Sequence, residues 1–239
     1  MAIERVLIVG ATGNIGVAAT IAALRTKREV LAIVRNKQSA EKYFKHVGTR
    51  DGITTPEADV TFENGVQSVV DEVKAGKLPS FQHVYATVGK WLGTPMHEID
   101  MASFRDEMNV AFEANFFAYR ATIPYLLQQN NPNSTFTVCV GAAAQYGAGG
   151  VTAITQGALS AMVNAAIREN QKTNIRINEA YLAARVEYDS DAEKSGAMKA
   201  SEYSRCYENI LSKPEIDGCA VKVSGKQDLD EPKYEKKLG

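Results

Sequence analysis

Short runs of β-branched and aliphatic residues alternate along the chain with longer amphipathic stretches. "RVLIV" (5–9), "EVLAIV" (29–34), "HVYATV" (83–88), "FTVCV" (136–140), "IRINEAYL" (175–182) and "CAVKV" (219–223) are mostly apolar. A strand with one wet face alternates apolar and polar residues. A nearly continuous apolar run means burial on both faces, as in a parallel sheet covered by helices. Helical patterning fills the intervals, from about Asn14, over 37–46, over 101–129 and over 152–172. Strand and helix in alternation make βαβ units. The expected fold is therefore α/β, a doubly wound parallel Rossmann-like sheet with helices on both faces. No repeat, low-complexity tract or linker divides the chain, so a single domain over 1–239 is expected. The segment 187–213 breaks the rhythm with polar residues and Ser195-Gly196. It reads as a variable excursion over the C-terminal edge of the sheet, above the cleft.

Composition narrows the function class. A chain of 239 residues buries roughly 70% of its unfolded surface without staples. Twenty-seven basic and 28 acidic residues leave a net charge of −1, with no basic block, so nucleic acid is not an expected partner. The three cysteines, Cys139, Cys206 and Cys219, cannot all pair; reduced thiols and a cytoplasmic location follow. The N-terminal "MAIERVLIVGATG" lacks the layout of a signal peptide. No apolar run approaches the roughly 20 residues of a membrane span, so no membrane role is expected. No His, Cys and Asp residues cluster with metal-ligand spacing, and no metal is expected.

"VLIVGATGNIG" is the most informative motif. It ends the first strand and opens a helix. Gly10 permits the tight turn, Gly13 lets backbone approach a pyrophosphate, and Gly16 lets helix pack on strand. The turn with Thr12, Asn14 and Ile15 presents free N–H groups and the positive end of a helix to phosphate. The second strand then chooses the nucleotide. An NAD site usually ends it with a carboxylate for the ribose hydroxyls; here the end reads "AIVRNKQ". Arg35 and Lys37, flanking Asn36, suit a 2′-phosphate. NADP(H) is the expected cofactor. Asp59 and Val60, in "ADV", are expected at the third strand end, beside the adenine.

Taken together, these motifs resemble the short-chain dehydrogenase/reductase family over almost the whole chain. "ATVG" (86–89) falls where that family has Asn-Asn-Ala-Gly, so the resemblance implies cofactor contacts from Ala86, Thr87 and Gly89. "FFAYRATIPYL" (116–126) resembles its fifth helix, with Pro124 in place, and "IRIN" and "IDGCAVKVSG" its last two strands. The catalytic residues do not follow. The family uses Asn, Ser, Tyr and Lys: Tyr moves the proton, Lys lowers its pKa and holds the ribose, Ser polarises a carbonyl and Asn anchors a water. The corresponding positions here are Ala111, Ala142, Thr152 and Gln156, with Asn109 and Asn115 near the first but out of register. Neither Thr152 nor Gln156 titrates near neutral pH. Loss of the acid alone costs an ordinary ketone reductase about 10²–10⁴ in rate.

Three readings survive these changes. The first is hydride transfer from NADPH to an iminium ion or activated double bond in a biosynthetic pathway. The second is a non-redox isomerase or cyclase in the same cleft. The third is an inactive protein that senses NADP(H). Thr152 and Gln156 then act as binding groups, Gln156 toward the nicotinamide ribose. Tyr146 is a replacement donor. Trp91, His97, Ala142, Tyr146 and Glu187 are expected to line a small-molecule substrate pocket. The apolar stripe of 101–129 and the helix after Gln156 resemble the family's pairing surfaces, so a homodimer or homotetramer is expected.

Overall fold

The computed structural model describes residues 3–238. The first half of the chain contributes β1 (Arg5–Val9), α1 (Asn14–Arg25), β2 (Glu29–Ala32), α2 (Lys37–Val47), β3 (Ile53–Thr54), α3 (Gly65–Lys74), β4 (His83–Ala86) and α4 (Met101–Met108). A π-helical turn, Asn109–Glu113, joins α4 directly to α5 (Ala114–Gln129). The second half contributes β5 (Thr135–Gly141), α6 (Ala143–Tyr146), α7 (Val151–Asn170), β6 (Arg176–Leu182), β7 (Val186–Glu187), α8 (Asp189–Ser195), β8 (Met198–Lys199), α9 (Ala200–Ser212), β9 (Cys219–Val223), α10 (Gln227–Asp230) and β10 (Lys233–Lys236).

The main sheet runs β10-β9-β6-β5-β4-β1-β2-β3. Every neighbouring pair is parallel except β10 with β9. This is the expected single-domain Rossmann-like α/β fold. The period of two along β1 separates two cores. Val6 and Ile8 pack with α1 and α9 on one face. Leu7 and Val9 pack with α3, α5 and α7 on the other. The order reverses between β1 and β4, which is where an open α/β sheet leaves a crevice at the carboxyl ends of its strands.

Two sequence expectations change. The third strand stops at Thr54, well short of Asp59 and Val60. Beyond it only a lone bridge, Val34 with Glu57, continues beside β2. Pro56, without an N–H, cannot extend a regular ladder. The segment 187–213 also differs: its larger part is α9, a layer helix packed along α1 rather than an excursion over the cleft. Tyr203, Cys206, Tyr207 and Ile210 are buried, at the spacing of one helix face. Tyrosine and cysteine among Ser, Glu and Lys hide that face from a reading by polarity.

Candidate active-site cleft

A cleft of about 880 Å³ opens at the carboxyl ends of β1, β4, β5 and β6. On one side lie Gly13, Asn14 and Ile15 of the glycine turn and Thr87, Gly89 and Lys90 after β4. On the other lie Ala142 and Tyr146 after β5 and Thr152 and Gln156 of α7. Leu182 to Val186 close the β6 end. A smaller cavity of about 500 Å³ at the opposite ends of the strands includes Arg176 and Lys236. There Nη1 of Arg176 already donates to the carbonyls of Ile210, Lys213 and Ile216.

The three glycines have distinct geometries. Gly10 has φ +87°, and a Cβ on it would meet Val88 N at 2.9 Å. On Gly16 a Cβ would lie 2.2 Å from Gly10 O, so only glycine lets α1 sit this close to β1. Gly13 is different. Its φ of −83° suits any residue, and an added Cβ would meet only Gly10 O, at 3.6 Å. Its Cβ position is open, and Gly13 lines the cleft. No side chain caps α1 and no acid sits in its first turn, so its N-terminal N–H groups keep their positive field. The flanks are braced. Asn14 Nδ2 donates to Val186 O at 3.1 Å, and Tyr188 Oη donates to Thr12 O at 2.5 Å.

The end of β2 is exposed. Arg35 Nε lies 3.5 Å from Asp59 Oδ2. Asp59 Oδ1 accepts from Thr61 N at 3.0 Å and Thr61 Oγ1 at 2.7 Å. Burial pushes the Asp59 pKa up, but the Thr61 hydrogen bonds and the Arg35 charge outweigh it and hold the carboxyl low. Asn36 caps α2 by accepting from Ser39 N at 2.9 Å, leaving Lys37 on the exposed first turn. These groups and Val60 sit beside one another, outside the cleft wall itself. Ala86 is fully buried. Thr87 Oγ1 donates to Val9 O at 3.0 Å and fixes the exit of β4 beside the glycine turn.

On α7, one helical turn brings Thr152 and Gln156 to the same wall. Gln156 Oε1 accepts from Gly141 N at 2.6 Å, which fixes its amide oxygen to the end of β5. Its –NH2 finds no partner among the described residues. Thr152 Oγ1 accepts from Leu92 N at 2.9 Å and has two acceptors nearby, Glu107 Oε1 at 3.2 Å and Leu92 O at 3.3 Å.

Glu107 is the residue that sequence reasoning missed. Its side chain is fully buried behind Thr152. Oε2 has no hydrogen-bond partner among the described residues, and Lys90 Nζ stands 3.7 Å from it. Burial raises the Glu107 pKa; the Thr152 hydrogen bond and Lys90 reduce the rise, and Asp106 adds to it. "FRDEM" gives no warning, because an acid among charged neighbours on a helix reads as a solvated face. Asn115 also joins the site from one turn beyond Ala111. Its Nδ2 donates to Val88 O at 2.8 Å and Ala111 O at 3.1 Å, and its Oδ1 accepts from Val88 N at 3.2 Å. It ties the exit of β4 to the π turn.

The remaining candidates divide. Tyr146 and Trp91 line the cleft and are exposed at 68% and 65%. A Cβ on Gly149 would lie 2.8 Å from Trp91 Cη2, so the indole rests on bare backbone. His97 is not a lining residue: it stands on the exposed loop before α4, 3.4 Å from Glu98. Its polar neighbours Glu98 and Asp100 keep that stretch in water. Glu187 is also off the wall. It takes Arg185 at 2.5 Å and accepts from Ser195 Oγ, so its charge is satisfied by those two neighbours. Cys139 reaches the cleft, but burial pushes its thiol up to about 11, against the Tyr203 and Tyr207 hydrogen bonds that lower it. It is no thiolate nucleophile at neutral pH. All three cysteines are free. Among the described residues no helix is long and apolar enough to cross a membrane, and no three His, Cys, Asp or Glu side chains gather as a metal site requires.

Comparison with known proteins gives consistent findings. The family pattern described as short chain dehydrogenase matches residues 4–189. A curated relative, the short-chain dehydrogenase/reductase iacG of Pestalotiopsis fici, is 50% identical over 240 residues, covering 98% of this chain and 96% of its own. A short-chain dehydrogenase of the glucose/ribitol dehydrogenase type from Brucella melitensis superposes with TM-score 0.74 at 18% identity, covering 89% of this chain and 90% of that one. The structure of ElxO with NADP bound gives TM-score 0.77 at 14% identity, over 89% and 93%.

Proposed function

The chain belongs to the short-chain dehydrogenase family of oxidoreductases, and from that membership we propose that it binds NADP(H) and passes hydride to an acceptor activated before it arrives. The acceptor class is an iminium ion or a conjugated double bond. The observation that carries this reading is the pair of walls. One keeps every feature of a phosphate cradle, while the other presents Thr152 and Gln156, which do not titrate near neutral pH.

The dinucleotide fits on a specific test. The open Cβ position of Gly13 leaves volume that a pyrophosphate would take at the N-terminus of α1. Asn14 and Ile15 would offer backbone N–H groups there. Arg35 and Lys37 would hold a 2′-phosphate, with Asn36 shaping the turn, and Asp59 and Val60 would flank the adenine. The Arg35–Asp59 pair is loose and exposed, so it costs little to open. The free amide –NH2 of Gln156 would donate to a nicotinamide ribose hydroxyl. When bound, the reduced cofactor supplies hydride. Trp91 and Tyr146 offer flat surfaces to a small organic substrate, and Ala142 leaves room above Gly141. Phe116 and Leu127 on α5 and Ile154 on α7 remain exposed; burial against a second copy around a two-fold axis would cover them.

Two titrations test the reading: quenching of Trp91, the sole tryptophan, by NADPH and by NADH, then NADPH oxidation with a cyclic iminium, a cyclic enone and a simple ketone. NADPH should bind tighter, and the ketone should be turned over slowest. Equal cofactor affinities, or a ketone as the best acceptor, would overturn it.

A further inference from the structure

We propose that Glu107 is the proton source of this cleft, acting through the Thr152 hydroxyl, and that the acceptor is a neutral α,β-unsaturated carbonyl compound rather than a preformed cation. The inference rests on the hydride-transfer reading above and selects between its two acceptor classes.

The hydrogen-bond count at Thr152 carries the argument. A hydroxyl accepts twice and donates once. One lone pair of Oγ1 is taken by Leu92 N at 2.9 Å. When Glu107 is ionised, the Thr152 proton points at Oε1, 3.2 Å away and behind the wall. When Glu107 carries a proton, that proton occupies the second lone pair of Oγ1. The Thr152 proton is then released, with only the longer contact to Leu92 O, at 3.3 Å, to hold it. One proton on one carboxyl thus frees the hydroxyl proton from Glu107, leaving it Leu92 O, at 3.3 Å, or an acceptor in the cleft that Thr152 lines. Gln at this position would keep a hydrogen bond and lose the switch.

Burial works towards the protonated form of Glu107, and the Lys90 ammonium works against it. Glu107 is fully buried, and its Oε2 has no hydrogen-bond partner among the described residues; a buried carboxylate with only the Lys90 charge at 3.7 Å is costly. The charged groups around it are few. Lys90 faces Oε2 from the loop after β4, and Asp106, its neighbour on α4, binds the same Lys90. From α7 only Thr152 faces it, and that helix carries no charge from Val151 to Ile167. Lys90 lines the cleft as well. Its ammonium, though paired with Asp106, carries donors for oxygen that is gaining negative charge.

The step balances as follows. Hydride, which a bound reduced dinucleotide would supply, would form a C–H bond at the β-carbon; the C=C pair would become the new bond from the α-carbon to the carbonyl carbon, and the C=O π pair would move to oxygen as an enolate. Thr152 Oγ gives its proton to that oxygen and takes the Glu107 proton. The enol tautomerises to the saturated ketone, and the Glu107 carboxylate regains a proton from water.

Five proteins, unmodified, Glu107→Gln, Thr152→Val, their double variant and Glu107→Asp, test the proposal in two ways. The first needs no ligand. Trp91 is next to Leu92, whose N–H and C=O both face the Thr152 hydroxyl, so its fluorescence should titrate above the free glutamate range near 4.3. That transition should vanish in both variants and return, displaced, in Glu107→Asp. The second is single-turnover NADPH oxidation with 2-cyclohexen-1-one and with a cyclic iminium. Each single variant should lose about 100-fold with the enone, the double variant no more than either single, and the loss with the iminium should be smaller than the loss with the enone. A Trp91 titration unchanged in Glu107→Gln, or an iminium as the faster acceptor in the unmodified protein, would overturn the proposal. Absence of NADPH binding would instead remove the cofactor reading, while the titration still reports on Glu107.

Discussion

Replacing Gly13 by alanine separates folding from cofactor binding at a single methyl group. The backbone there has φ −83° and ψ 168°, which alanine adopts without strain. The new Cβ would touch only Gly10 O, at 3.6 Å, an ordinary contact. Two small folding effects oppose each other. Restricting the unfolded chain gains about 0.4–1 kcal/mol. Alanine at the N-cap of α1 loses about 0.5–1 kcal/mol relative to glycine. The sum is near zero, so the thermal midpoint should stay within about 4 °C of the parent, given about 2–4 °C per kcal/mol at this size. The same methyl would project into the proposed phosphate cradle, and NADPH affinity should fall at least tenfold, about 1.4 kcal/mol or more. Gly16→Ala is the contrast. Its Cβ would lie 2.2 Å from Gly10 O, so α1 must shift and the midpoint should drop by about 5 °C or more. The assays are thermal melts followed by near-UV circular dichroism and Trp91 quenching by NADPH. A Gly13→Ala protein that melts normally and binds NADPH as tightly as the parent would refute the placement of the pyrophosphate at this turn.

Arg35→Asp should cost NADPH at least tenfold while leaving NADH binding within about threefold, because a charge-assisted bond contributes about 1.5–3 kcal/mol; parallel quenching titrations read the ratio, and equal losses for both cofactors would remove Arg35 from 2′-phosphate recognition. Lys237→Met leaves Glu179, whose side chain is 2% exposed, beside Ser160 without its cation. Breaking such a pair should cost about 3–5 kcal/mol, which urea denaturation measures, with Glu179→Gln added to Lys237→Met recovering part of it. Acid should weaken the fold in two stages. Burial lowers the His83 pKa, against the Glu4 hydrogen bond, so the unfolded chain protonates first as pH falls below about 6.5. Glu4, held at about 2 chiefly by the His83 hydrogen bond, loses its contribution as pH falls from 4.5 towards that value. A urea midpoint constant from about pH 7 to about pH 3.5 would contradict both signs.

Much of the scaffold was legible because its signals are local. Six apolar runs mark strands, and the glycine spacing of 10, 13 and 16 marks one strand–turn–helix junction. The site was legible only where neighbours in sequence are neighbours in space. Thr152 and Gln156 share a wall because a helix turn places them there. Glu107 reaches Thr152 across 45 positions, and Lys237 reaches Glu179 across 58. Nothing within either segment announces those meetings. His97 and Glu187 show the converse: polar residues near the cleft in sequence turn outward when water or an ion pair is closer. The stripe on α9 escaped notice because four of its buried positions are Tyr203, Tyr207, Cys206 and Ser204, whose polar atoms masked a face that packing treats as apolar.

The two ends of the sheet decide how copies of this chain can meet. An unpaired strand edge invites another chain to add a strand, and long flat edges seed aggregation. Here one edge is β3, only two residues long. The other is β10, "KYEK", exposed throughout and charged at three of its four positions. Neither offers a template for a further ladder. The proposed self-association would therefore fall on the helix faces of α5 and α7, where contact depends on side-chain shape. Such contact can close after one symmetry operation instead of growing without limit.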